Sequence, residues 1–148
     1  GGLGTLCETL ENNIKELNYK TIRYKGHRHL MDFLINDLLL GKKGRRHLLK
    51  EILEYAIPTT KDDVVLIFCT ATGMRNGVVE QITDVRKIYN NVFYGVNLSS
   101  IQITTAVGLC TVLDLYVTNK INKNGFIKQE DIELEDFLSN EFGKQYIV

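Results

Sequence analysis

Residues 62–89 read DDVVLIFCTATGMRNGVVEQITDVRKIY, and this stretch decides the fold. VVLIFC, at 64–69, is a continuous run of β-branched, aliphatic and aromatic residues, which is typical of a central strand covered on both faces. The segment 73–77 has a glycine at each end and predicts a turn. The more polar sequence from 78 to 89 then predicts the returning strand of an antiparallel hairpin.

Helical patterns lie on both sides of this hairpin. Apolar residues recur there at intervals of three and four, and they predict five helices: 6–17, 27–39, 45–56, 99–120 and 133–142. Pro58 stops the third helix, Ser99-Ser100 suits the N-cap of the fourth, and Gly143 is the expected stop of the fifth. Two further short strands are predicted at 18–24 and 125–129.

Strands and helices do not alternate regularly, which favours an α+β fold over a doubly wound one. The prediction is a mixed, mostly antiparallel sheet packed by helices, with no Rossmann domain in this chain. Helix 99–120 is apolar around nearly its whole circumference, so we expect it to be the most buried helix. With 148 residues, the chain has the length of one domain, predicted to cover residues 1–148.

The amino-acid composition argues against several classes of function. Lysine plus arginine equals aspartate plus glutamate at 18 each, so a basic nucleic-acid-binding surface is not expected. The most apolar stretch, 101–117, is interrupted by polar residues, which argues against a membrane span. Three widely separated cysteines favour reduced thiols in the cytoplasm over disulfides or zinc. The start Gly1-Gly2 without methionine favours a piece of a longer polypeptide.

The strongest concentration of polar chemistry is TIRYKGH, at 21–27. The planar guanidinium of Arg23 suits a substrate carboxylate, but a surface arginine or a structural ion pair is the commoner explanation. Tyr24 supplies a hydroxyl and is equally well explained as a half-buried tyrosine. His27 is a candidate base near neutral pH, or simply a helix cap. His27 and His29 lack third and fourth ligands, so no metal site is predicted.

Thr104 and Thr105 are a second pair of candidate ligand-binding residues. Their hydroxyls suit a hydrogen bond to a bound molecule. The alternative is that both hydroxyls bond back to carbonyl groups of their own helix, which is the commoner arrangement for threonine within a helix.

Four segments, in this order, resemble the C-terminal half of the saccharopine dehydrogenase family: GGLGTL at 1–6, NYKTIRYKGH at 18–27, IQITTAVGLCTVLDL at 101–115 and GFIKQEDIELEDFLSNEFG at 125–143. The resemblance covers nearly the whole chain. The joint presence of RY-x-GH and TTAVG at similar spacing makes it fairly specific. Many relatives carry proline where this chain has Lys25, which leaves the loop's shape less fixed.

The resemblance implies an NAD- or NADP-dependent oxidoreductase acting on the CH–NH group of a lysine-derived amino acid, as in saccharopine dehydrogenases and lysine 6-dehydrogenases. In such enzymes an N-terminal Rossmann domain binds the nucleotide and a C-terminal α+β domain binds substrate and often dimerises. The resemblance implies the following roles for residues of this chain. Arg23 and Tyr24 contact the substrate, and His27 lies beside them as the catalytic candidate. Thr104 and Thr105 face the same cleft.

The chain contains no GxGxxG after a strand, so the nucleotide is expected to bind mainly to a missing N-terminal domain. The expected protein is a cytoplasmic homodimer with an amino-acid substrate and with neither nucleic-acid nor membrane partners, and the isolated chain is expected to be inactive. The alternative is a non-catalytic dimerisation or interaction module that keeps the fold, because an unpaired edge strand is an easy route to dimers.

Overall fold

A computed structural model describes residues 2–121 and 124–147. The helices in these residues are α1 (Leu6–Thr9), α2 (His27–Asp32), α3 (Arg46–Ala56), α4 (Ser100–Val117) and α5 (Leu134–Ser139). The strands are β1 (Val64–Arg75), β2 (Val78–Tyr89), β3 (Asn91–Phe93) and β4 (Val96–Leu98), which form two antiparallel hairpins. The α+β class is confirmed, and the described residues contain no Rossmann arrangement of strands.

The chain divides into two compact units, Gly1–Thr59 and Thr60–Val148. The first unit contains α1 to α3, and the second contains both hairpins, α4 and α5. One domain over residues 1–148 stays a prediction.

The start of the first unit is less regular than its sequence predicts. Helix α1 ends at Thr9 instead of 17, and Asn12 has a φ of 69° that no helix accommodates. The predicted strand at 18–24 is wrong, because this segment has neither strand geometry nor a buried face. Alternating side chains alone do not make a strand, which also needs a partner for its backbone hydrogen bonds. Gly1 lies outside the described residues.

The two remaining helices of this unit were predicted. Helix α2 begins at His27 as expected, passes into a π-helical turn at Phe33–Asp37 and ends before Leu39, whose φ is 58°. Helix α3 matches its predicted bounds to within one residue. A side chain on Gly41 would approach the Ile35 side chain to 2.7 Å, so the absence of a β-carbon lets the chain turn closely over the helix.

The predicted antiparallel β1–β2 hairpin is confirmed, with pairs from Val64 opposite Tyr89 to Arg75 opposite Val78. Residues 73–75, which were predicted to be part of the turn, instead continue β1. Asn76 and Gly77 form the two-residue turn, and both have positive φ (52° and 80°), as a type I′ hairpin turn requires. The expectation that β1 is covered on both faces is wrong. Leu66 and Phe68 are 67% and 64% exposed, because the described sheet has two strands and only one of its faces is packed.

The second hairpin, β3–β4, was not predicted. It turns at Tyr94 and Gly95, again with two positive φ values (49° and 77°). The Phe93 ring lies 6.2 Å from that of Phe142, and the Tyr94 hydroxyl donates to Glu141 Oε1 at 2.5 Å. This short hairpin therefore packs against the C-terminal segment.

Helix α4 is the main packing element of the second unit. Its buried face is a single stripe at helical spacing: Ser100, Ile103, Val107, Thr111 and Leu115. The expectation that this helix is the most buried one is confirmed, since α1, α2, α3 and α5 contain no buried residue. Its opposite side is open, with Leu109 75% exposed. Among the described residues, α4 is the one helix that meets the length and composition of a membrane span, with 18 residues, a mean hydropathy of 1.4 and 28% burial.

The core of the second unit joins the hairpin, α4 and the C-terminal segment. Ile88, Ile103 and Val107 form its buried centre. Partly buried residues pack around them: Val65, Ile67, Leu98, Phe137, Phe142 and Tyr146. The predicted strand at 125–129 is wrong, because these residues run irregularly into a 3₁₀ turn, Gln129–Asp131. The predicted helix at 133–142 ends at Ser139, and Gly143 begins a 3₁₀ turn, Gly143–Tyr146.

Candidate functional site

Arg23, Tyr24 and His27 lie around one open cleft of about 540 Å³ in the first unit. The other residues of its wall are Thr21, Gly26, Arg28, His29 and Asp32. The sequence predicted that the arginine, the tyrosine and the first histidine act together, and the structure brings them to one cleft. Arg28 and Asp32 were not predicted to contribute.

A tight turn produces this juxtaposition. The backbone N–H of His27 donates to the carbonyl of Tyr24 at 3.1 Å, which closes a four-residue turn from Tyr24 to His27. Gly26, at the third position, has φ 86° and ψ −16°, which are the values of a type II turn. Residues with a β-carbon rarely adopt this conformation. Lys25 occupies the second position, where proline is favoured in such turns.

Arg23 and Tyr24 are fully available to a ligand. No hydrogen bond or ion pair engages the Arg23 guanidinium within residues 2–121 and 124–147, which leaves its donors for solvent or a bound anion. Tyr24 is 95% exposed, so the alternative of a half-buried tyrosine is wrong. His27 is the first residue of α2, where no side chain caps the helix.

The cleft carries a net positive charge. Asp32 is its acidic residue, and Asp32 Oδ1 accepts a hydrogen bond from Asn36 Nδ2 at 2.5 Å. This carboxylate is therefore occupied within its own helical segment. Two arginines against one aspartate, with neutral histidines, give a formal charge of +1 (2 − 1), which suits a carboxylate ligand.

Thr104 and Thr105 lie on α4 in the second unit. Thr104 Oγ1 donates to the Ser100 carbonyl at 2.9 Å, and Thr105 Oγ1 donates to the Ile101 carbonyl at 2.7 Å. The structure thus shows the backbone bonding that was the alternative for both residues. Each hydroxyl retains lone pairs that accept hydrogen bonds. That these threonines share a cleft with Arg23 stays a prediction.

Tyr146 contacts the same turn of α4 and was not predicted from the sequence. Its hydroxyl donates to the Thr104 carbonyl at 2.8 Å, and burial raises the pKa of its phenol. The Arg86 guanidinium donates to the Tyr146 carbonyl at 3.0 Å, which fixes the C-terminal segment against β2. The sequence held no signal for either contact, because these partners are 42 and 60 positions apart.

Metal-binding side chains do not cluster in the part of the chain that the structure describes. No group of three or more His, Cys, Asp or Glu residues there is arranged to hold an ion. His27 and His29 line the cleft with Asp32 but do not form such a group. The chemistry available at the cleft is therefore that of an arginine, a phenol and an imidazole.

Comparison with known proteins adds no further constraint. No protein-family model matches the chain, and no solved structure matches it. The assignment of function consequently depends on the cleft and on the resemblance of the motifs.

Proposed function

We propose that this chain is the substrate-binding portion of an NAD- or NADP-dependent oxidoreductase similar to saccharopine dehydrogenase, acting on the CH–NH group of a lysine-derived amino acid. The observation that supports the proposal best is the unpartnered Arg23 beside Tyr24 and His27 in a positively charged cleft. The four motif segments that resemble the family provide the reaction class. A cytoplasmic homodimer with a role in lysine metabolism is part of the same proposal.

Arg23 has the central role in recognition. Its fork of N–H donors binds a substrate carboxylate through two parallel hydrogen bonds, a geometry that lysine does not offer. Tyr24 is the next residue and begins the turn, and it adds a phenolic hydrogen bond to the same anion. Because both side chains are exposed, their alignment depends on the turn conformation that Gly26 permits.

His27 is the proposed proton acceptor. Oxidation of an amine to an imine removes a hydride from carbon and a proton from nitrogen, so a nearby base is needed. The placement of His27 one turn from Arg23 lets a single amino acid contact both groups.

The motif resemblance assigns Thr104 and Thr105 of α4 to the same substrate, and this assignment is part of the proposal. Their O–H protons are already donated to helix carbonyls, so toward a ligand both hydroxyls act as acceptors. Acceptors of this kind suit the ammonium group of an amino acid. In the proposal, Arg23 binds the carboxylate and Thr104 and Thr105 bind the ammonium.

The described residues include no glycine-rich turn between a parallel strand and a helix, which is what binds the pyrophosphate of NAD. The proposal therefore assigns NAD or NADP to another domain of the protein, and no step through the nucleotide is derived from this chain. By the same reasoning, the isolated chain binds the amino acid without turning it over.

The test is an assay of the full-length protein for reduction of NAD and NADP with saccharopine and with lysine. Arg23→Ala is expected to raise KM at least tenfold, because the carboxylate loses its bidentate partner. His27→Gln is expected to lower kcat by about 100-fold or more. Lys42→Ala is the matched control, since Lys42 is an exposed cation of the same unit outside the cleft. No turnover with either substrate, in a folded protein, refutes the specific activity.

A second candidate is a non-catalytic dimerisation or interaction module. The unpaired edge of β1 within the described residues favours it, because such an edge pairs readily with another strand. The double variant Arg23→Ala/Tyr24→Ala separates the two functions. If the cleft serves a ligand, the variant still dimerises but loses the rise in melting temperature that the ligand gives to the wild type.

A further inference from the structure

Strand β1 has an unpaired edge within the part of the chain for which there is structure. Its ladder with β2 covers the whole of Val64–Arg75, and no other described strand pairs with it. In an antiparallel ladder alternate residues direct their N–H and C=O groups to opposite edges. About half of the backbone polar groups of β1 therefore point away from β2, toward a position that another strand fits.

The sequence of β1 lacks the features that usually prevent edge pairing. Residues 64–74 contain no charged side chain and no proline, the two commonest means of protecting an edge. Strand β2 differs, since it carries four charged residues: Glu80, Asp84, Arg86 and Lys87. The pairing surface is therefore the edge of β1 and not that of β2.

One face of this hairpin is largely apolar and uncovered. We call it the outer face; its polar residues are Thr70, Thr72, Gln81, Thr83 and Lys87, and its apolar residues are Val64, Leu66, Phe68 and Met74 from β1 with Val79, Val85 and Tyr89 from β2. All seven apolar residues are exposed. A two-stranded ribbon is marginally stable by itself, and added strands place further side chains beside those on its faces. Extension of the sheet is thus favoured by both the backbone and the side chains.

We propose that β1 pairs antiparallel with β1 of a second copy of this chain, with the two Cys69 residues opposite each other, to form one four-stranded sheet. An uncharged segment pairs with itself without like-charge repulsion, and a two-fold axis makes such an interface closed. The axis must be perpendicular to the sheet, so the outer faces of both copies lie on the same side. The interface deepens the proposed homodimer and requires none of the cleft residues.

The register follows from the uncharged segment. Its midpoint is Cys69, and centring the axis there pairs every residue of 64–74 with another residue of 64–74. Large side chains then meet small ones across the axis, as in Val65 opposite Gly73 and Ile67 opposite Ala71. This alternation of sizes gives a close fit between strands without changing either hairpin.

The size of the contact predicts its strength. Paired strands over 64–74 run for about 36 Å, and a sheet layer about 10 Å thick gives an edge contact on the order of 400 Å² on each copy. Two copies together bury on the order of 800 Å², the size of a weak interface. The dimer is therefore expected to be weak, with a dissociation constant on the order of 100 micromolar.

Sedimentation equilibrium of the wild type and three variants tests the inference. Cys69→Lys places two ammonium groups opposite each other at the axis and is expected to weaken the dimer at least tenfold. Within its own hairpin the new lysine lies opposite Asp84, so the fold tolerates it. Cys69→Ser and Thr83→Lys are expected to change affinity by less than about twofold. Circular dichroism checks that each variant is folded.

Thr83→Lys distinguishes edge pairing from packing of two outer faces. Thr83 lies opposite Thr70 on the outer face but in β2, away from the free edge of β1. Dissociation by Thr83→Lys, with no effect of Cys69→Lys, shows that the copies associate through their outer faces and overturns the proposal. A wild type that stays monomeric at several hundred micromolar overturns it too.

Cross-linking provides a second readout that does not depend on a variant. Residues opposite each other on antiparallel strands have Cα atoms about 4.5 to 5.5 Å apart, within the range of a disulfide. Oxidised glutathione, which takes up the two electrons, is expected to link two copies through exposed Cys69. Links through Cys7 or Cys110 instead contradict the register. A dimer that lacks the Cys69 link leaves the proposed activity untouched and refutes only this interface.

Discussion

The carboxylate of Asp63 caps the N-terminus of α4 from outside the helix. Its Oδ1 accepts the backbone N–H of Ser100 at 2.6 Å, and its Oδ2 accepts that of Ile101 at 3.2 Å. Ser99 and Gln102 complete a capping box at the same helix end. Because Asp63 immediately precedes β1, this contact fixes the hairpin to the helix that carries Thr104 and Thr105.

Asp63 is expected to make the second unit sensitive to acid. Desolvation raises the pKa of this carboxyl, but the N–H groups of Ser100 and Ile101 outweigh it and hold the pKa below its usual value. A group with a lowered folded-state pKa stabilises the fold fully above its unfolded-state pKa, about 3.9. The stabilisation is lost as the pH falls through the lower folded-state pKa.

Melting curves of wild type and Asp63→Asn from pH 7 to pH 2 measure this contribution. The variant is expected to melt at a lower temperature at pH 7, and the difference should shrink as the pH falls below about 4. Asp62→Asn is the control, since no hydrogen bond from the Asp62 side chain reaches α4 within residues 2–121 and 124–147. A difference that is equal at pH 7 and pH 2.5 contradicts a charge-dependent cap.

Gly143 and Gly108 are expected to respond oppositely to alanine. A β-carbon on Gly143 would lie 1.7 Å from the Phe137 carbonyl oxygen, so Gly143→Ala requires backbone movement and should destabilise by about 3 kcal/mol or more. Gly108 lies within α4 with open space around it, and Gly108→Ala should stabilise by about 0.5–1 kcal/mol. Urea denaturation of the two variants measures both effects.

The hydrogen bond from Tyr146 to Thr104 is expected to stabilise the second unit modestly. Tyr146→Phe keeps the ring and its T-shaped contact with Phe137, and it removes only the hydroxyl. The expected loss is about 1 kcal/mol. Thermal denaturation near neutral pH should show this loss of stability. Hydrogen exchange should show faster exchange of the backbone amides around Thr104 in the variant.

The pH dependence of this variant follows from the raised pKa of the phenol. A group with a raised folded-state pKa contributes stability that is complete below its unfolded-state pKa, about 10, and is lost as the pH rises through the folded-state value. Wild type and Tyr146→Phe should therefore converge in stability only above about pH 10. Convergence at pH 8 contradicts the assigned cause.

Local signals in the sequence predicted the fold where a residue's conformation depends on its near neighbours. The hairpin turn at Asn76 and Gly77, within the predicted 73–77, and the Ser99 cap were found because glycine, asparagine and serine have specific backbone roles there. The strand at 18–24 was wrong because strand formation depends on a distant partner that alternation does not reveal. The β3–β4 hairpin was missed because Tyr94, at a positive φ of 49°, is an unusual residue for that position.

The contrast between near and distant partners also explains which residues of the candidate site were predicted. Arg23, Tyr24 and His27 were found together because one turn of sequence holds them. Asp63 and Tyr146 were not found, because their partners lie 37 and 42 positions away. Contacts at such separation are set by the packing of α4 on the hairpin and leave no periodicity in the sequence.

Lys25→Pro is expected to stabilise the turn that holds the candidate site. Lys25 is the second residue of a type II turn, where proline has the required φ, and no backbone acceptor for its N–H occurs among the described residues. The expected gain is about 0.4–1 kcal/mol, through the loss of freedom in the unfolded chain. Gly26→Ala is the opposite control, because φ 86° costs about 1–2 kcal/mol for a residue with a β-carbon.

Ligand affinities of Lys25→Pro and Gly26→Ala show whether the turn only stabilises the fold or also positions the cleft residues for binding. If the turn positions Arg23 and His27, Lys25→Pro should bind the amino-acid ligand at least as tightly as wild type, while Gly26→Ala should bind it several-fold more weakly. Isothermal titration calorimetry of the full-length protein measures both. Equal affinities for all three proteins, with the expected changes in stability, would show that the geometry of the turn does not control recognition at this cleft.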